Sequence, residues 1–274
     1  MAITLAHTQV TNPGMVVGAF CHHCDHPTSK QREGTPYWMC SYCDLWFQHP
    51  QPPKVFEASH EKTEDGTSNG HLQSQRDLDV AAQLARLWAH NWIARLPLED
   101  GKKYRALDVG CKYPWFAKTL REQGVDAYGI DGLDQDDPNL PPITNKFMEE
   151  LKVPMMLVDF EKVSSEDIMR ESGGGKFHAV SMIHVFEHIY DAIVGLENIH
   201  DLLDPNGFFL VRVPSHDSEG FERDLTPGHY SIHPYFYSEK AFRYLIEEKT
   251  KLFDIVETYP MWGQRDYILT PRKP

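Results

Sequence analysis

No run of apolar residues in this sequence of 274 approaches the roughly 18 a membrane-crossing helix needs. No membrane partner is expected. Positive charge is scarce too: 27 Lys and Arg stand against 40 Asp and Glu, a net charge of -13 with His neutral. Broad binding to nucleic acid or anionic membrane relies on a basic face, so this balance argues against both. The first twenty residues, "MAITLAHTQVTNPGMVVGAF", carry no basic start ahead of their apolar stretches. A secretory leader is therefore not expected, and a cytoplasmic location is the default. Internal repeats and low-complexity tracts are also missing. What is present suits a folded chain. Hydrophobic residues make up 41% and aromatics 12%, enough for a sizeable core in one large domain with a small appendage.

Cysteine is sparse and unevenly placed. Four of the five form two pairs, Cys21-x2-Cys24 and Cys40-x2-Cys43, with fifteen residues between the pairs. The fifth, Cys111, stands alone. A two-residue gap lets both sulfurs of a knuckle face one ion, and this spacing matches tetrahedral zinc better than disulfides. Four protein ligands leave no open position, so the ion is expected to be structural. His22, His23 and His26 crowd the first knuckle and are read as neighbours of the site rather than ligands.

Residues 1–53 are read as an N-terminal zinc-ribbon module, 54–71 as a polar linker and 72–274 as the main domain. A helix is expected over 72–96, where Leu78, Ala81, Leu84, Ala85, Trp88, Trp92 and Leu96 recur at three- and four-residue steps. From residue 104 strands and helices alternate. The strands are "YRALDVG", "DAYGID", "MMLVDF", "FHAVSMI", "FFLVRVPS", "LFDIVETYP" and "DYILTPR". Helices are expected over "WFAKTLREQG", "SSEDIMRESGGG", "YDAIVGLENIHDLLDPNG" and "SEKAFRYLIEEK". The fold class is α/β: a Rossmann-like, mostly parallel seven-stranded sheet with helices on both faces. The last two strands are close enough in sequence to form a hairpin, which puts an antiparallel edge on the sheet.

Three acids fall at successive strand ends: Asp108, Asp131 and Asp159. In open α/β sheets, ligands bind at the carboxyl ends of the strands. Asp131 is placed to accept hydrogen bonds from ribose hydroxyls. Asp159 and Phe160 are placed to flank an adenine, the acid accepting from the exocyclic amine. A pyrophosphate wants backbone N–H groups and a helix N-terminus, and an acid ending the first strand suits it poorly. That acid suits a cationic nucleoside without phosphate, and S-adenosylmethionine fits that description.

With these motifs in hand, the region from about residue 72 onward resembles the class I S-adenosylmethionine-dependent methyltransferases. "ALDVGC" resembles their first motif, which implies that Asp108, Gly110 and Cys111 line the cofactor. "YGIDGL" resembles the ribose-binding motif, adding Gly132 to Asp131, and "LVDFE" the adenine-side motif. "FHAVSMIHVFEHIYDA" resembles the fourth motif, and "LLDPNGFFLVRVPS" the turn and strand after it. "CSYCDLWFQHPQP" is similar to the zinc-binding segment that precedes some of these domains, including sugar C-methyltransferases. The chain departs from the family in two places. Lys112, Tyr113 and Pro114 stand where Gly-x-Gly usually follows, and Phe177-His178 replaces Phe-Asp.

The resemblance implies methyl transfer to a small-molecule or glycan-type acceptor. It implies that His184 faces the cofactor or the acceptor and that Glu187 and His188 brace the loop. His229 occupies the place of a histidine in sugar C-methyltransferases, within the long segment that also holds Tyr230, His233 and Tyr235. His229, His184 and His233 are the candidate bases, because imidazole can take a proton near neutral pH. Two alternatives stay open: a non-catalytic protein that has kept the fold, and a methyltransferase guided to nucleic acid by the ribbon.

Overall fold

The computed structural model describes residues 19–27, 29–51, 75–96, 102–111, 114–132, 151–221 and 233–273. The expected linker lies outside these residues, as do Lys112, Tyr113 and His229.

A seven-stranded sheet forms the centre. Its strands are β4 (Arg105–Val109), β5 (Asp126–Asp131), β6 (Met155–Leu157), β7 (Phe177–Ile183), β8 (Leu203–Pro214), β10 (Phe253–Met261) and β11 (Gln264–Pro271), in the spatial order β10-β11-β8-β7-β4-β5-β6. Pairings from β6 through β8 are parallel, while β11 is antiparallel to both β8 and β10. The expected hairpin therefore forms, and its second strand inserts between the first and the parallel part. Strand order reverses around β4, the switch point where α/β sheets bind ligands.

The central strands are apolar because both faces are covered. On one face lie α1 (Gln75–Ile93) and α2 (Trp115–Glu122). Ala85, Ala89, Trp92 and Phe116 pack there against Ala106, Ala179 and Phe208. The buried stripe of α1 is thus Ala85, Ala89 and Trp92, continued by Leu96 just past its end, whereas Leu84, expected on it, faces solvent. The other face carries α3 (Ser165–Glu171), α4 (Ala192–Leu202) and α5 (Glu239–Arg243) over Val180, Met182, Val211 and Leu269. Ser164, Asp191 and Ser238 cap these three helices, each accepting from a backbone N–H three residues on.

Three expectations are corrected. "MMLVDF" pairs only as far as Leu157: Val158 N–H donates to the Asp131 carbonyl as the last rung, and the chain then turns at Asp159, whose carbonyl accepts from the Lys162 and Val163 N–H groups. The helix over 239–250 is α-helical only to Arg243, then widens to a π-turn over Tyr244–Thr250 that closes at Lys251 in a left-handed conformation. The helix expected to run to the Pro-Asn-Gly stretch ends earlier: α4 stops at Leu202 and β8 starts at once, because Leu203 already pairs with Phe177.

A second sheet holds β1 (Ser29–Gln31), β2 (Tyr37–Cys40) and β3 (Trp46–Gln48), all from the cysteine-rich segment. Its fourth strand, β9 (Tyr235–Phe236), comes from far down the chain and pairs with β3. Cys21, Cys40, Cys43, Leu45 and Phe47 are continuous with the core on the α3–α5 face. The ribbon is thereby built into the side of the larger fold.

Candidate functional site

The carboxyl end of β4 carries Asp108, buried at 6% exposure. Its Oδ1 accepts a 2.6 Å hydrogen bond from the Ser181 hydroxyl on neighbouring β7. Burial pushes the Asp108 carboxyl up to about 7, against the pull of Ser181 and with a smaller push from the charge of Asp131. No cation among the described residues pairs with it, and a positively charged ligand group would pull its ionisation back toward the ordinary range.

The turn that follows is tight. Gly110 has φ +68°, a left-handed conformation that suits glycine, and an added Cβ there would overlap Val185. The N–H groups of Gly110 and Cys111 both donate to the Ile130 carbonyl, at 2.7 and 3.1 Å. They tie the end of β4 to the end of β5, where Asp131 and then Gly132 stand half-buried. Cys111 is buried, and its sulfur fills the space above Gly129, where a Cβ would approach it to 2.6 Å. Burial, then the charges of Asp108 and Asp131, hold its thiol well above the usual range. Pro114 precedes the first turn of α2, where its missing N–H costs nothing.

Past β6, Asp159 accepts from the Glu161 N–H at 3.2 Å and pairs with the Lys162 ammonium at 3.0 Å. Lys162 is largely exposed, so this pairing can yield to another donor. Phe160 is packed into the main core. Asp108, Gly110, Cys111, Asp131 and Gly132 thus share one end of the sheet, next to the loop with Asp159. A buried acid beside a second acid on the adjacent strand end fits a ligand that combines a positive charge with a nucleoside.

His184 follows β7 with φ +56°, a left-handed conformation for a non-glycine residue, of the kind that gathers at functional sites. Its Nδ1 lies 3.5 Å from Oε1 of Glu187. Burial works to lower the imidazole, but Glu187 outweighs it and the balance is upward. Glu187 and His188 sit in a single 3-10 turn, Phe186–His188. The His188 and His233 rings approach to 4.7 Å between centroids. The two candidate bases within the described residues, His184 and His233, thus flank the same turn. On the α1 face, a cavity of about 370 Å³ opens beside Ile183, lined by Trp88, Trp92, Arg95, Arg212 and Tyr259. Arg212 is fixed there by a bidentate pair with Asp266, at 2.5 and 2.7 Å, and its guanidinium lies 4.6 Å over the Trp88 ring.

The four paired cysteines converge, with all Sγ atoms within 4.8 Å of one another. Cys21–Cys43 and Cys24–Cys40 are each 3.5 Å apart. That is far from disulfide distance and close to the roughly 3.8 Å that zinc–sulfur bonds of about 2.3 Å give in a tetrahedron. Each knuckle closes the same way: Asp25 N–H donates to the Cys21 carbonyl and Asp44 N–H to that of Cys40, both aspartates at positive φ. A short acid tolerates that conformation. His22 and His23 are not in the cluster. His22 contacts the Tyr235 hydroxyl, and His23, buried and held down to about 3 mainly by that burial, lies among Tyr235 and Tyr237. The donor set fits a closed zinc site.

Of the residues that join the ribbon to the site, the sequence singled out His233 and Tyr235 but not Tyr37 or Gln48. The Tyr37 hydroxyl and the Gln48 side chain both donate to the His233 carbonyl, at 2.6 and 2.9 Å. Gln48 N–H donates to the Pro234 carbonyl. The Tyr235 hydroxyl reaches the Tyr190 carbonyl at 3.0 Å. Ser181 was also missed, and a serine inside an apolar strand was the signal available for it.

Residues 73–249 match the family described as "Methyltransferase domain". A curated relative, the ubiquinone biosynthesis O-methyltransferase of Azorhizobium caulinodans, is 24% identical over 149 residues, 54% of each chain. The match therefore spans about half the length of that relative. Among solved structures, the magnesium protoporphyrin IX methyltransferase of Synechocystis PCC 6803 with bound S-adenosylhomocysteine aligns at TM-score 0.50 and 16% identity, over 75% of this chain and 90% of that one. A putative methyltransferase complexed with the Haloferax volcanii Trm112 activator aligns at TM-score 0.51 and 17% identity, over 72% and 96%. Identities this low establish a shared fold. Among the described residues, no helix is long and apolar enough to cross a membrane.

Proposed function

We propose that this chain, which belongs to the methyltransferase domain family, transfers a methyl group from S-adenosylmethionine to a small-molecule acceptor. The observation that carries this reading is Asp108, a carboxyl buried at the switch point of the sheet, held by Ser181 and paired with no cation among the described residues. When bound, the cofactor supplies an electrophilic methyl on a sulfonium leaving group. The chain's own residues bind and align. Asp108 faces the positive methionine end, Asp131 accepts from the ribose hydroxyls, and Asp159 takes the adenine amine after releasing Lys162. Gly110, Cys111 and Gly132 let the backbone approach, while Phe160 backs the adenine loop from the core.

Transfer at the methyl carbon depends chiefly on in-line alignment. His184, His233 and His229 are the groups proposed to hold or accept a proton on the acceptor side. The cavity beside Ile183, with two tryptophans, a tyrosine and two arginines, suits a ring-bearing acceptor, whether aromatic or sugar. The relative in Azorhizobium caulinodans, named as an O-methyltransferase, supports an acceptor with a hydroxyl. The four cysteines would hold a structural zinc that braces Tyr37 and Gln48 against the His233 segment. A test is to supply methyl-labelled S-adenosylmethionine with a fractionated small-molecule extract and follow label into product. Transfer that disappears in Asp131→Ala supports the reading. A folded protein that binds the cofactor and labels no fraction would refute it.

A further inference from the structure

The turn after β7 contains an arrangement that the cofactor site does not use. Glu187 is fully buried, yet neither of its carboxylate oxygens accepts a hydrogen bond from any described residue. Among the described residues its ion-pair partner is His184, at 3.5 Å from one oxygen only and on a half-exposed side chain. A buried carboxylate left this way is costly, and native folds pair it or give it to a metal. One ligand atom each from Glu187, His188 and His233 lies within 4.8 Å of the others. The turn brings the first two together. His233 comes from 45 residues further along and is held by the ribbon, through the bonds of Tyr37 and Gln48 to its carbonyl.

We propose that Glu187, His188 and His233 form a second metal site, separate from the cysteine cluster, for a divalent transition ion. Two imidazole nitrogens and one carboxylate oxygen favour zinc, manganese, iron or cobalt over calcium or magnesium. Metal–ligand bonds near 2.1 Å place neighbouring ligand atoms roughly 3 to 4 Å apart, within reach of small side-chain rotations here. His184 then orients the carboxylate from behind, as outer partners of metal ligands do. Three protein ligands leave coordination positions open, unlike the closed cysteine set.

The role of this ion rests on the methyl-transfer reading; the site itself does not. The turn lies at the carboxyl end of β7, next to β4 and Asp108, so the open positions are suited to an acceptor hydroxyl. Bound to the ion, that hydroxyl gives up its proton to solvent more readily, and His233, as a ligand of the ion, then no longer serves as a base. Its oxygen forms the bond to the methyl carbon as the sulfur–methyl bond breaks. The electron pair of the broken bond stays on sulfur, which becomes a neutral thioether, and one proton is released.

The test is cobalt stoichiometry on the full chain, stripped of metal, reduced and reloaded with excess Co2+. Two equivalents are expected per chain. One gives intense thiolate charge-transfer bands and the other only weak visible bands. Glu187→Gln, nearly isosteric, and His233→Ala should each lose one equivalent while the thiolate bands stay. Wild type saturating at one equivalent with full thiolate bands would overturn the site, as would both variants keeping two. S-adenosylhomocysteine titrated into the same samples separates the two ideas. Binding with a single cobalt removes this site and leaves the methyl-transfer reading. Two cobalts without binding does the reverse.

Discussion

Replacing Asp108 with Asn tests whether that carboxyl is a burial cost accepted for a ligand. In the folded chain it is pushed up from 3.8 to about 7, mainly by burial. The fold therefore keeps its proton over a pH range where the unfolded chain has lost it. This group favours folding fully below the unfolded value of 3.8, and that contribution is lost as pH rises through about 7. The difference corresponds to about 4 kcal/mol at pH 8. Asparagine keeps the shape and can still accept from Ser181, but carries no charge at any pH. Asp108→Asn should therefore be more stable than the parent without ligand, by up to about 4 kcal/mol at pH 8 and roughly 1.5 kcal/mol at pH 5. At about 2 to 4 °C per kcal/mol for a domain of this size, the melting point at pH 8 should rise by roughly 8 to 16 °C. Urea unfolding at both pH values measures the gap. The same variant should bind S-adenosylhomocysteine at least about tenfold more weakly, since a buried charge-assisted contact is worth some 1.5 to 3 kcal/mol. A variant no more stable than the parent at pH 8, or a gap independent of pH, would refute the reasoning.

Further outcomes follow from the same geometry. The proposed structural zinc would contribute folding free energy directly, and the cysteines are continuous with the main core, so a chelator, or Cys40→Ser, should lower the melting point by at least about 10 °C; calorimetry with metal analysis checks it. Gly110→Ala meets both the positive φ and Val185, so it should cost about 2 to 4 kcal/mol of stability in urea unfolding. Cys111, buried and with its thiol held high, should resist iodoacetamide at pH 8 in the folded chain and label only on unfolding, as mass spectrometry of peptides would show.

Much of the fold follows from patterns that sequence carries openly. The strands from "RALDV" to the closing hairpin stand out because buried parallel strands are apolar without alternation and are separated by capped helices. The cysteine knuckles stand out by spacing, and each carries an aspartate immediately after it where the structure needs a left-handed residue. The position of Asp108 and Asp131 at the ends of adjacent strands was legible from the apolar runs that precede them. Other features depend on tertiary contacts. Tyr235–Phe236 is too short to read as a strand and becomes one only by pairing with Trp46–Phe47. Leu84 satisfies the helical period but lies off the buried side, because α1 meets the sheet along Ala85, Ala89 and Trp92. Phe160 was read as a wall for an adenine; its burial in the main core depends on tertiary packing that the sequence does not display. The meeting of His188 with His233 could not be read locally, since it depends on hydrogen bonds from Tyr37 and Gln48 in a separate sheet.

The claim on which the rest depends is that the ends of β4 and β5 hold an S-adenosyl nucleoside. Isothermal calorimetry with S-adenosylhomocysteine tests it on the purified full chain and on Asp131→Ala. The account predicts saturable one-site binding to the wild type and its loss in a variant that still unfolds cooperatively. Equal affinity in the folded variant, or no binding by the wild type, would contradict it.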